Sequence, residues 1–202
     1  IIAPACHDTG SAVAAVPATD AESWAYLSSG TWSLIGTEIT EPIINDDVLE
    51  ANFTNEGGVD GTFRFLKNIG GLWLLQETQR MWREKEGVEF GYGEIVEMAE
   101  SAQPFVSWVD PDHESLNTPD DMTEAICDYC RNTGQPVPAD KAALVRTIFE
   151  SLAMKYRSVF DTLVRLQGDI DVLHIVGGGS ANALLNQFTA NALGVKVKAG
   201  PT

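Results

Sequence analysis

His7, Asp8 and Thr9 stand together near the start of the chain, ahead of the small residues Ser11, Ala12, Val13, Ala14 and Ala15. A carboxylate in that setting can take a proton from a hydroxyl, or it can cap a helix by accepting from the free N–H groups of the first turn. His7 with Asp8 is also half of a metal site, but the other histidines, His113 and His174, show no ligand spacing with it. The turn Ser28, Ser29, Gly30, Thr31 offers hydroxyls and N–H groups that can hold a terminal phosphate, and it serves equally well as a plain hairpin turn. Gly177, Gly178 and Gly179 follow the apolar run 172–176 and precede a helical pattern, so their N–H groups sit where α/β proteins bind phosphates or nucleosides. A tight strand-to-helix turn would need the same glycines. A dinucleotide site would also want an acid about 20 residues further on, yet residues 172–202 contain no Asp or Glu, and Lys196 and Lys198 are their only formal charges.

Asn68 is read as the cap of a helix over 69–83, which puts Gln76 eight residues along the same axis, about 12 Å away. One helix could then touch two ligands; alternatively Asn68 is only a cap and Gln76 a surface residue. Gly70 and Gly71 in a first helical turn would cost about 1 kcal/mol each relative to Ala, which implies close packing on their backbone. Around these residues the pattern predicts a helix in 1–17, strands over 24–27 and 32–39, and short strands between 52 and 66. Helical stretches follow near 93–102 and 120–132. A long helix spans 140–167 with Ile148, Phe149, Leu152, Tyr156, Val159, Phe160 and Leu163 inward and Gly168 as its stop. A strand over 172–176, a helix over 181–193 and a strand over 195–197 close the chain as a β-α-β unit.

A chain of 202 residues that is 44% hydrophobic can bury a substantial core. Thirteen basic against 29 acidic residues give a formal charge of −16, which excludes long-range attraction to nucleic acid or an anionic membrane surface. Of the three cysteines, Cys127 and Cys130 are spaced as helical neighbours with no second pair to complete a zinc site, so they read as reduced thiols in a cytoplasmic protein. No run is long enough to span a membrane. The chain begins with Ile1 and stops soon after a strand-like segment, and both ends read as cut.

The pieces form an ordered series: His7-Asp8-Thr9, then Tyr26-Leu27-Ser28-Ser29-Gly30-Thr31-Trp32-Ser33, Thr54-Asn55-Glu56-Gly57-Gly58 and Leu66-Lys67-Asn68-Ile69. Gly71-Leu72-Trp73-Leu74-Leu75-Gln76 and His174-Ile175-Val176-Gly177-Gly178-Gly179 complete it. In this order and spacing the chain resembles the FGGY carbohydrate kinase family nearly from end to end. The resemblance implies an α/β fold, an actin-like ATPase (ribonuclease H-like) domain with a mixed sheet flanked by helices. Residues 1–20 would be the tail of a sugar-binding domain and 21–202 a nucleotide-binding domain, truncated at its C-terminal end. It implies ATP and Mg²⁺, with Asp8 as catalytic base and His7, Asp8, Thr9 and Asn68 on the sugar. Thr31 would meet the phosphates, Gln76 the nucleotide, and Gly177, Gly178, Gly179 and Asn182 the adenosine. The stretches 55–58 and 67–69 favour L-rhamnulose over L-fuculose or D-xylulose as the acceptor. Catalysis in this family needs a preceding domain to close the cleft, so the isolated chain is expected to be inactive. A non-catalytic nucleotide- or sugar-sensing module would keep the fold without needing Asp8.

Overall fold

The computed structural model describes residues 8–18 and 22–200, so the His7 assignment lies outside the described residues. Asp8 is the first residue of α1 (Asp8–Ala14). Alternating apolar and aromatic residues then form the hairpin of β1 (Trp24–Ser29) and β2 (Trp32–Ile39). After α2 (Asp46–Glu50), capped by the Asn45 side chain, come β3 (Thr54–Gly57) and β4 (Phe63–Gly70). Four helices follow: α3 (Trp73–Glu86), α4 (Tyr92–Ser101), α5 (Met122–Asn132) and α6 (Lys141–Gln167). The chain returns through β5 (Val172–Val176), α7 (Ala183–Leu193) and β6 (Lys196–Ala199).

The six strands lie in the order β3-β4-β2-β1-β5-β6. The first four pair antiparallel, and β1-β5 and β5-β6 pair parallel, giving the expected mixed sheet. Side chains alternate across a strand, so Ala25, Leu27, Ile35, Phe65, Ile69, Leu173 and Ile175 point into the main core under the helices. Tyr26, Leu34 and Leu66 point the other way and form a smaller cluster with Val13 of α1. All seven residues expected on the inner side of the long helix are buried, and Gly168 ends it at φ +93°. A Cβ on Gly36 would lie 2.4 Å from the Phe65 carbonyl oxygen, so only glycine lets β2 lie this close to β4.

The helix expected over 69–83 with Asn68 as its cap is not the one observed. Asn68 lies within β4, opposite Leu34 of β2, and α3 begins at Trp73. Asn68 and Gln76 therefore do not share a helix axis, and the 12 Å separation drawn from it falls. The alternation of β4 runs on through Ile69 into the main core, and this tertiary burial outweighs the capping preference of Asn68. Gly70 and Gly71 lie in the strand end and the connection, and their backbones are packed as the glycines implied. A Cβ on Gly70 would lie 2.5 Å from the Pro111 carbonyl oxygen, and one on Gly71 2.6 Å from that of Gly30.

Candidate nucleotide and acceptor site

Because β1 and β5 run parallel, with Ser28 beside Val176, the turn after β1 and the glycine triplet after β5 leave the sheet side by side. The start of α3 joins them. Leu72 N donates to the Gly30 carbonyl at 2.9 Å and Trp73 N to that of Thr31 at 3.0 Å. These bonds satisfy two of the N–H groups that a helix start leaves free, and they tie the exposed Thr31 to a rigid element. Beneath the turn, the fully buried Tyr156 hydroxyl of α6 lies 2.8 Å from Ser33 Oγ. Burial pushes the Tyr156 hydroxyl above its ordinary titration range, so it stays protonated under the turn.

The three glycines have different roles. Gly177 has φ +83°, and a Cβ there would lie 2.9 Å from the Ser29 carbonyl oxygen. A Cβ on Gly179 would lie 2.1 Å from Ser29 Oγ. Both are required by the turn itself. Gly178 is exposed, has no positive φ, and a Cβ on it would meet nothing within 4 Å. The triplet then forms a short 3₁₀ turn, Gly178–Ala181, so the helix starts at Ala183 rather than at residue 181. Asn182 caps it, with Oδ1 accepting from Leu185 N at 3.0 Å. One buried polar atom beside the triplet has no protein partner, Asn182 Nδ2, whereas Ser29 Oγ lies toward the Tyr156 hydroxyl beneath the turn. Unpaired buried polar groups are unfavourable, so Asn182 Nδ2 stands out beside the exposed Gly178 at the C-terminal end of β5.

Gln76 is exposed, one turn inside α3. Asn68 is exposed too, but it shares the sheet face of Leu34, the face that carries α1. Thr31, Gly178, Asn182 and the start of α3 thus gather at one sheet edge, while Asn68 and Thr9 belong to the α1 side. Thr9 Oγ1 accepts from Arg64 Nη1 at 3.3 Å. Arg64 is buried and was not singled out in the sequence, where an arginine between two phenylalanines carries no signal of its distant partners. The positive balance of Lys196 and Lys198 is partly offset by Glu22, at 3.8 and 2.8 Å, and Lys198 holds the Glu22 carboxyl below its ordinary range.

The sequence pattern described as "FGGY family of carbohydrate kinases, C-terminal domain" matches residues 25–202. The chain belongs to the FGGY family of carbohydrate kinases. Among curated proteins, FGGY members named rhamnulokinase are 53% identical in Bacteroides thetaiotaomicron, 49% in Pectobacterium carotovorum and 41% in Lactiplantibacillus plantarum, each over the whole chain. The chain spans about two-fifths of their length, 40–41%. Among solved structures, a xylulose kinase from Rhodospirillum rubrum aligns with TM-score 0.63 at 14% identity, over 92% of this chain and 36% of its own. One from Brucella ovis aligns with TM-score 0.62 at 18% identity, over 89% and 36%. At that identity the likeness concerns the fold alone, the actin-like ATPase fold expected of an FGGY member.

Proposed function

We propose that the chain is the C-terminal, nucleotide-binding part of an ATP-dependent kinase that phosphorylates a hydroxyl of L-rhamnulose. The observation that carries this reading is the C-terminal end of β1 and β5, where the Thr31 turn, the open Gly178 and the unpaired Asn182 Nδ2 converge. The family membership supports phosphoryl transfer to a sugar, and the 41–53% identity to proteins named rhamnulokinase supports the choice of sugar. Residues 1–20 then close a preceding sugar-binding domain, and 21–202 form the nucleotide-binding domain against which α1 rests.

In this reading Gly178 and Asn182 lie against adenosine, Gln76 reaches the nucleotide, and Thr31 faces the phosphates. Asp8 takes the proton of the sugar hydroxyl as its oxygen bonds to the γ-phosphorus. The bond from that phosphorus to the β,γ-bridging oxygen breaks, and ADP leaves with its electron pair. His7, Thr9 and Asn68 hold the acceptor in line, which accounts for much of the rate in phosphoryl transfer. An ordinary carboxylate suffices, because the hydroxyl gives up its proton late in a loose transition state. Among the described residues no group of three or more His, Cys, Asp or Glu side chains could cage a cation. Mg²⁺ bound with the nucleotide would offset the phosphate charge against this acidic chain.

Among the described residues no helix is long and apolar enough to cross a membrane. The charge of −16 gives the chain no long-range attraction to nucleic acid or an anionic membrane surface, and in this reading the enzyme works in the cytoplasm. The test is ADP release by the complete protein with ATP and, in separate reactions, L-rhamnulose, L-fuculose and D-xylulose. L-Rhamnulose should give the highest kcat/KM. Preference for another ketose would change the substrate, and nucleotide binding without turnover would favour the sensing module.

A further inference from the structure

The stretch Asn55, Glu56, Gly57 contributes nothing to the nucleotide edge, yet it is tightly organised. Asn55 clamps the backbone of Ile43, accepting from its N–H at 3.0 Å and donating to its carbonyl at 2.8 Å. Glu56 stands opposite Arg64 in the β3-β4 ladder and accepts from Arg64 Nη2 at 2.8 Å, while the Gly57 carbonyl accepts from Arg64 Nε at 3.2 Å. The guanidinium is thereby fixed on two of its nitrogens, and its Nη1 is the one directed at Thr9 Oγ1, at 3.3 Å. Arg64 is only 5% exposed, so this bond is shielded from competing water.

Helix α1 has seven residues, about 10 Å of length, too short to hold its own position without tertiary anchors. Val13 is one anchor, packed with Tyr26, Leu34 and Leu66. Thr9 lies four residues earlier on the same helix face, so the Arg64 bond is a second anchor one turn away. Packing at one end and a shielded hydrogen bond one turn away together help to fix the height and rotation of so short a helix. Asp8 precedes Thr9 in the same helix.

We propose that Arg64, held by Glu56 and the Gly57 carbonyl, is a positioning residue that sets the place of α1 and through it of Asp8. The inference rests on the reading of Asp8 as the base. An error of about 1 Å in a reacting group can lower a rate about 10²-fold, so Arg64→Ala in the complete protein should lower kcat by roughly 10- to 100-fold while KM for ATP stays within about twofold. Millimolar guanidinium should restore part of the kcat of Arg64→Ala and none of that of Asp8→Asn, a rescue that a general loss of stability would not show. Glu56→Gln, which keeps an acceptor but removes the charge, should shift kcat in the same direction by less. A normal kcat in Arg64→Ala, or a loss that falls on KM for ATP, overturns the proposal. If Arg64→Ala does not fold, Glu56→Gln decides, and a normal kcat there overturns it. Should Asp8→Asn itself keep full activity, the base reading fails whatever Arg64 does; an inactive Asp8→Asn beside a normal Arg64→Ala defeats the positioning role alone.

Discussion

Gly178→Val separates a ligand's space from the protein's own. A Cβ at Gly178 meets no atom within 4 Å and the backbone there has no positive φ, so a side chain can start from this position into open space. Substitution at such a surface position changes stability by no more than about 0.5 kcal/mol, roughly 2 °C in Tm for a domain of this size. If adenosine lies against Gly178, the valine side chain must displace it. Forcing extra methyl groups into a filled contact costs about 1–3 kcal/mol, or roughly 5- to 150-fold in Kd. The chain alone, with one side of the cleft, should bind ADP with Kd on the order of 1 mM, about −4 kcal/mol. Calorimetry should therefore detect weak ADP binding in the parent chain and none in Gly178→Val, while thermal melting leaves the two within a few degrees. Gly179→Ala is the converse control, since its Cβ would lie 2.1 Å from Ser29 Oγ and the loss should appear in Tm. Unchanged ADP binding in a normally folded Gly178→Val would refute the assignment of the triplet.

Tyr156→Phe leaves the buried Ser33 hydroxyl without its 2.8 Å partner, which should cost about 1–3 kcal/mol and lower Tm by roughly 2–12 °C; an unchanged melting curve would contradict the account of the turn. His174 is buried beside the edge of Trp24, and that burial lowers its pKa, with Lys198 acting in the same direction. Its neutral form is favoured by folding, so its contribution is present above the unfolded value of about 6.5 and is lost as pH falls toward the lower folded value. Wild type should lose Tm on acidification below about pH 6.5 faster than His174→Gln does; parallel curves would remove His174 as the source.

The strand hairpin, the long helix and the closing β-α-β unit were legible because each carries an unbroken hydrophobic period and ends on a residue suited to stopping it, as Gly168 does at φ +93°. Asn68 was misread because asparagine ahead of apolar residues satisfies a capping rule and a strand end equally well. The true start of α3 has no side-chain cap, and its N–H groups are met by carbonyls of Gly30 and Thr31 some forty residues earlier in the chain. A local reading of the sequence has no access to that pairing. The triplet was recognised as a group, but only the packing of Gly177 and Gly179 on Ser29 separates two structural glycines from the open one. Arg64 was missed for a similar reason, since its partners Glu56 and Thr9 are brought to it by the sheet and by α1.

The claim that the chain carries the base of a sugar kinase is tested most directly by steady-state kinetics of Asp8→Asn in the complete protein, with L-rhamnulose and ATP. Asparagine keeps the size of aspartate and caps a helix about as well, but it cannot take the proton. The account predicts a fall in kcat of about 10²- to 10⁴-fold with KM for ATP little changed, in a variant that melts within a few degrees of wild type. A near-normal kcat in that variant would contradict it and leave Asp8 as no more than the first residue of α1.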